Sequence, residues 1–309
     1  MLLPAYVDRG SELVYQQPYA ARDARQDIFF LRGDRACLDA MFDRYFTTPS
    51  GGEVTVRPMT SIVALSVLRI DAISSSEGDD DVGAGIAEWE VAVWTVGVDV
   101  TRQQPVMFAP YLFVDSGMAM AAGREVYGLP KQDGRFAVAP GGPPYSLTLD
   151  VLGSRRFDPS TPFTWQRLLR VAHGNAEAGR PRWASLGEAS RELGAGLRPE
   201  SFIDDAIVLL RFAAMFASGR LTLLALKQFR DVAQPDRACY QAITESYIRT
   251  TALHGGGLLS GVTVDVEDLE SAKIVRELGI RPGPQTPLHS IWMAYDFVLE
   301  TGALLWQRP

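Results

Sequence analysis

Between Val54 and Val114 three segments rich in strand-forming residues follow one another, and this run limits the fold more than any other feature. Ser61 to Ile73, Ala87 to Val98 and Val106 to Val114 are rich in valine, isoleucine and aromatic residues and read as successive strands. Ser74-Ser-Ser-Glu-Gly-Asp-Asp-Asp81 joins the first two as an exposed hairpin loop; its consecutive aspartates lack the alternation and closing glutamate of a calcium-binding loop. In Ala87–Val96 the two-residue period puts Glu88, Glu90, Ala92 and Trp94 on one face and Trp89, Val91 and Val93 on the other. Two carboxylates therefore share a face.

Elsewhere the pattern is mixed. The start is polar to Asp27; Ile28-Phe-Phe-Leu31 then reads as a short buried strand, followed by a helix capped by Asp34 with Cys37, Leu38, Met41, Phe42 and Tyr45 on its apolar face. Strands are expected at Phe136–Val138 and Tyr145–Leu152. Helical spacing then takes over: Phe163, Leu168, Leu169 and Val171 suggest one helix, and the apolar positions from Phe202 to Phe216, after Pro199 and the cap Ser201, a second. Strands resume at Leu221–Phe229, Ala242–Ala252 and Leu258–Val266. A short helix at about 270–278 capped by Gly279 and a closing pair, Trp292–Leu299 and Ala303–Trp306, complete the reading.

The chemistry concentrates on Lys131, one of three lysines against 27 arginines. An amine can lose its proton and attack a carbonyl, whereas a guanidinium stays protonated. At an ordinary pKa near 10.4 few amines are neutral at pH 7, so nucleophilicity requires a fall of roughly 3–4 in pKa, which burial in an apolar pocket can supply. Val126, Tyr127, Leu129 and Phe136 flank the lysine and suit such a pocket. Lys227, on a strand face with Leu223, Ala225 and Phe229, is the second candidate amine, and Arg124 and Glu125 can pair as a structural clasp.

The segment Gly123-Arg-Glu-Val-Tyr-Gly-Leu-Pro-Lys-Gln132 resembles the active-site signature of the acetoacetate decarboxylase family, approximately G-R-E-x-x-x-x-P-K-K. Leu226-Lys227-Gln-Phe-Arg-Asp with Pro235-Asp-Arg-Ala-Cys239, and Met293 to Trp306, resemble later segments of that family. The resemblance implies an α+β fold in which a mainly antiparallel sheet curls into a cone or open barrel with outer helices. One domain would span residues 1–309, with a helical insertion at about 155–219 that covers the pocket or builds a subunit contact. It implies that Lys131 forms a Schiff base with a β-keto acid or related keto acid, that Glu88 or Glu90 takes part, and that Arg25 binds substrate. Tyr127 and Gln132 are further expected substrate contacts. A second family glutamate is replaced around Ser66. Gln132 stands where members that decarboxylate acetoacetate carry a second lysine, so burial must lower the amine's pKa without a cationic neighbour.

Decarboxylation through an iminium and enamine is the reaction so implied, with no cofactor. The same iminium supports aldol, dehydration or hydrolytic chemistry, and a non-catalytic ligand-binding protein on this fold is the remaining alternative. A net charge of −7 and scattered arginines argue against nucleic acid as partner, and no apolar run reaches membrane-spanning length. The start lacks the form of a signal peptide, so a cytoplasmic protein is expected, and the resemblance implies a homo-oligomer. Cys37 and Cys239 are expected as buried free thiols, and His173, His254 and His289 lack metal-ligand spacing, so no metal is expected.

Overall fold

The computed structural model describes residues 5–7, 16–76, 85–139, 145–173, 183–195 and 218–308. In chain order the elements are β1 (Tyr19–Arg32), α1 (Arg35–Phe42), β2 (Val56–Ser75), β3 (Ile86–Asp99), β4 (Gln104–Val114), α2 (Gly117–Ala122), β5 (Lys131–Val138), β6 (Tyr145–Gly153), β7 (Thr164–His173), α3 (Leu186–Ala195), β8 (Arg220–Arg230), β9 (Ala238–Leu258), β10 (Val262–Val266), α4 (Ile274–Leu278), β11 (Gly283–Gln285), β12 (His289–Leu299) and β13 (Ala303–Gln307). Asp34 caps α1 by accepting from the Cys37 N–H at 2.9 Å, and Gly279 ends α4 in the left-handed region.

The strands pair mostly antiparallel, and β8 bridges β4 and β9 to close a ring running β1, β2, β3, β4, β8, β9, β12. The closure is irregular, because β4 meets β8 in parallel at the single pair Met107 and Leu223. From β4 a second layer leaves through the parallel partner β5 and continues as β6, β7, β10 and β11. Strand alternation then builds two cores. Ile28, Phe30, Ala92, Trp94, Met107 and Leu112 face the inside of the ring, while Phe29, Leu31, Val91, Val93, Phe108 and Phe113 face outward against α1 and the second layer. With both faces covered in the middle of β2, β3 and β4, apolar residues there are buried on successive positions rather than alternate ones.

Three expectations are corrected. The segment containing Phe163, Leu168, Leu169 and Val171 is strand β7, paired with β6 and β10, not a helix, so residues 164–173 belong to the second layer rather than to an insertion beginning near 155. The strand expected from Ile28 begins at Tyr19, held by β2 and β12 on either side. The cysteines are free but not buried: Cys37 is half-buried and Cys239 exposed. The expected helix from Phe202 to Phe216, and residues 77–81 of the acidic loop, lie outside the described residues.

Asp27 points into the outer core, 8 % exposed, where burial pushes its carboxyl up to about 6. Its Oδ1 has no hydrogen-bond partner among the described residues, and Oδ2 lies 3.9 Å from His173 Nε2. Folded Asp27 holds its proton more tightly than the unfolded chain, whose ordinary value is 3.8. Its contribution to stability is therefore full below that value and is lost as pH rises through about 6. Asp27→Asn stays neutral throughout, so urea unfolding should find it more stable than wild type by about 3 kcal/mol near pH 8, with the gap closing below about pH 4. An equal gap at both pH values would refute this origin.

Candidate active site

The signature segment forms a compact bend that starts Lys131 into the ring. Ser116 caps α2, which passes into a π-helical turn at Gly123–Tyr127. Gly128 ends the turn at φ 80°, a conformation glycine adopts without strain; β8 passes so close that a Cβ there would lie 2.5 Å from the Lys227 Cβ. Pro130 cannot extend a helix, and Lys131 opens β5 opposite Leu112 of β4. Gly123 leaves the space that the lysine stem occupies: a Cβ there would meet the Lys131 Cδ at 2.6 Å and Cε at 3.0 Å.

Lys131 is 8 % exposed, and its Nζ donates to Glu88 Oε1 at 2.8 Å and lies 3.1 Å from Glu90 Oε2. Both glutamates are buried on the inner face of β3, paired across the sheet with Ile70 and Leu68 of β2. Burial disfavours the ammonium, but two carboxylates at contact distance outweigh it and hold the Lys131 pKa above its ordinary value. The expected depression is thus corrected: burial is present, but it comes with two counter-charges. For Glu90, burial raises the pKa, Lys131 opposes this, and Glu88 adds to the rise. One Glu88 oxygen, Oε2, is buried with no hydrogen-bond partner among the described residues, an arrangement that costs about 1–3 kcal/mol.

Around this triad lies a cavity enclosing about 980 Å³, its mouth included. Its wall is apolar except for the triad, Thr250, and Gln26 with Tyr295, whose hydroxyl donates to Gln26 Oε1 at 2.7 Å. Burial pushes the Tyr295 hydroxyl pKa up, with the Glu90 charge adding to the effect. Ser66 accepts from Trp94 Nε1 at 3.0 Å, so the place expected to have lost a glutamate is filled by a neutral pair.

Of the residues expected at the site, Lys131, Glu88 and Glu90 come together. Tyr127 is buried in an adjoining cavity, its hydroxyl donating to the Leu299 carbonyl at 3.3 Å. Arg25 and Gln132 do not reach the cavity: Arg25 is exposed on the opposite face of β1, 5.6 Å from the Trp292 ring centroid, and Gln132 is exposed beside Lys131 on β5. Gln26 takes the inward position because Arg22 and Asp23 form a bulge that shifts alternation by one residue. Lys227 is half-buried, donates to the Val126 carbonyl at 3.3 Å and does not line the cavity. Arg124 and Glu125 do not form the expected clasp: Arg124 donates to the Lys131 carbonyl at 3.4 Å, and Glu125 accepts from Tyr6 at 2.8 Å. Asp23, His254 and Asp296 cluster outside the cavity at the β1 bulge. Among the described residues no helix is long and apolar enough to cross a membrane.

The Gly123 contact gives a direct test. Gly123→Ala should fold, because only a side chain must yield, but the displaced Lys131 amine should react with small carbonyl reagents about 10²-fold more slowly. Trapping kinetics beside a melting curve check this; unchanged kinetics would mean that the lysine has room to spare.

Comparison with known proteins bears on the fold. Residues 60–158 match the family model described as acetoacetate decarboxylase. Acetoacetate decarboxylase from Legionella pneumophila is similar in structure at 13% identity and a TM-score of 0.63, covering 99% of this chain and 93% of that one. The enduracididine biosynthesis enzyme MppR complexed with pyruvate matches at 14% identity and TM-score 0.59, over 96% and 93% of the two chains. An acetoacetate decarboxylase-like enzyme from Sphingomonas wittichii matches at 14% identity and TM-score 0.58, over 96% of each. No curated protein matches by sequence. Residues 60–158 therefore carry the acetoacetate decarboxylase family's match, and the described residues have the fold of acetoacetate decarboxylase.

Proposed function

We propose that this chain is a Schiff-base-forming enzyme in which Lys131 converts a carbonyl substrate into an iminium. The carrying observation is a buried amine with Glu88 and Glu90 at 2.8 and 3.1 Å on the wall of an apolar cavity. In the resting site the amine is an ammonium. When substrate displaces water, Glu88 accepts the ammonium proton and the freed amine adds to the carbonyl carbon. Neutral Glu90, whose pKa is raised by burial, then protonates the carbinolamine oxygen, which leaves as water. The cationic iminium stays beside the Glu88 and Glu90 side chains, one of them ionised. A bond to the neighbouring carbon can then break, its electrons passing into an enamine that a glutamate reprotonates before hydrolysis.

Decarboxylation of a β-keto acid is the outcome implied by the resemblance: the α-carboxylate leaves as carbon dioxide. A second reading, aldol, dehydration or hydrolytic chemistry on the same iminium, is favoured by Gln26 occupying the inward position where a substrate-binding arginine was expected. The resemblance also supports a homo-oligomer acting on a small molecule.

Reversible iminium formation washes the carbonyl oxygen of a bound ketone into solvent. Incubation in water labelled with heavy oxygen should give enzyme-dependent label uptake that Lys131→Arg lacks; exchange no faster than in buffer for every carbonyl compound tried would rule this function out.

A further inference from the structure

We propose that the carbonyl compound taken by this site is uncharged and apolar, with hydrocarbon on both sides of the carbonyl, rather than a short keto acid. This rests on the Lys131 reading above, names its substrate class, and selects the aldol, dehydration or hydrolytic outcome of the iminium over decarboxylation. Among the described residues lining the main cavity, the basic group is Lys131 alone and the carboxyl groups are Glu88 and Glu90. The lysine is already bonded to one glutamate and in contact with the other. Iminium formation keeps one positive charge at that nitrogen. A substrate carboxylate would therefore be a third acid sharing a single cation, out of water, which is strongly unfavourable. The inward position on β1 that could supply a counter-charge holds Gln26, and its Oε1 accepts from Tyr295, leaving the neutral amide N–H as the donor of that side chain. Arg25 faces the other way.

The shape points to the same class. Lys131, Glu88 and Leu129 also line a second apolar cavity of about 490 Å³, beneath α2, formed with Tyr19, Ile86 and Ala119. The amine thus lies where two apolar chambers meet: the smaller beneath α2, and the larger, inside the ring, walled by residues such as Leu68, Met107 and Phe297. A carbonyl carbon placed at Nζ would send one substituent into each. Acyclic dialkyl ketones and uncharged 1,3-diketones fit this division.

Calorimetric titration of the full-length protein with unbranched dialkyl ketones of increasing length, beside keto acids of matched carbon number, reads the preference without requiring an iminium. The neutral ketones should bind at least about 10-fold more tightly than the matched acids, with affinity rising roughly fourfold per added methylene until a chamber fills. Keto acids binding as well or better, or ketone affinity indifferent to chain length, would overturn the proposal. Borohydride reduction of the same mixtures separates the two claims. A ketone preference without any reduced adduct leaves the substrate class standing and removes the Lys131 chemistry; adducts formed preferentially from keto acids do the reverse.

Discussion

Lys131→Arg is expected to lose at least about 10⁴-fold of the turnover of any carbonyl compound that wild type converts, while remaining folded. Arginine keeps a positive charge between Glu88 and Glu90 but cannot give up its proton to become a nucleophile. Lys131→Ala should be equally inactive and less stable by about 3–5 kcal/mol near pH 7, since it leaves two buried acids without their cation. That stability should return as pH falls and the acids become protonated. The two variants together separate the charge of this residue from its nucleophilicity, and substantial turnover by the arginine variant would show that the site works as a binding cation instead.

The second large effect is expected at the carboxylates. Glu88→Gln removes the group that holds the ammonium at 2.8 Å and, in the proposed mechanism, takes its proton, so turnover should fall by about 10²–10⁴-fold. Glu90→Gln should cost a similar factor in proton delivery and also change the pH profile. In wild type the rate should fall as pH rises through the raised Glu90 pKa, because the proton donor is then lost. Glutamine cannot titrate, so that limb should disappear from the variant. Stopped or continuous assays across pH on both variants check this, and an unaltered alkaline limb in Glu90→Gln would assign the donor role elsewhere.

The site was legible where side-chain alternation ran undisturbed. Glu88, Glu90 and Trp94 share the inner face of β3 as the two-residue period requires, and Lys131 follows from the spacing of its signature. Alternation also reaches Tyr295, inward with Ile291 and Met293 on β12, although its role as partner of Gln26 is a contact between distant strands. Bulges broke the reading. At Arg22 and Asp23 the inward series runs Ala21, Ala24, Gln26, Ile28, so the arginine that seemed one residue from the site faces outward. In β7 the register steps from Leu169 opposite Leu149 to Arg167 opposite Asp150, leaving Leu168 as an extra residue. Two adjacent buried leucines followed by Val171 then imitate helical spacing. The raised Lys131 pKa was missed for a different reason: the resemblance brought Glu88 or Glu90 to the amine, whereas both lie within 3.1 Å of it and together outweigh its burial.

The chain offers an unusually clean test of its central claim, because Lys131, Lys227 and Lys273 are its only lysines and only the first lines the cavity. Borohydride reduction in the presence of a bound ketone or keto acid, followed by proteolysis and mass mapping, should put a single alkyl adduct on the peptide containing Lys131 and none on the other two. An adduct on Lys227 or Lys273 alone, or no adduct with a compound that the protein demonstrably converts, would contradict a Lys131 Schiff base.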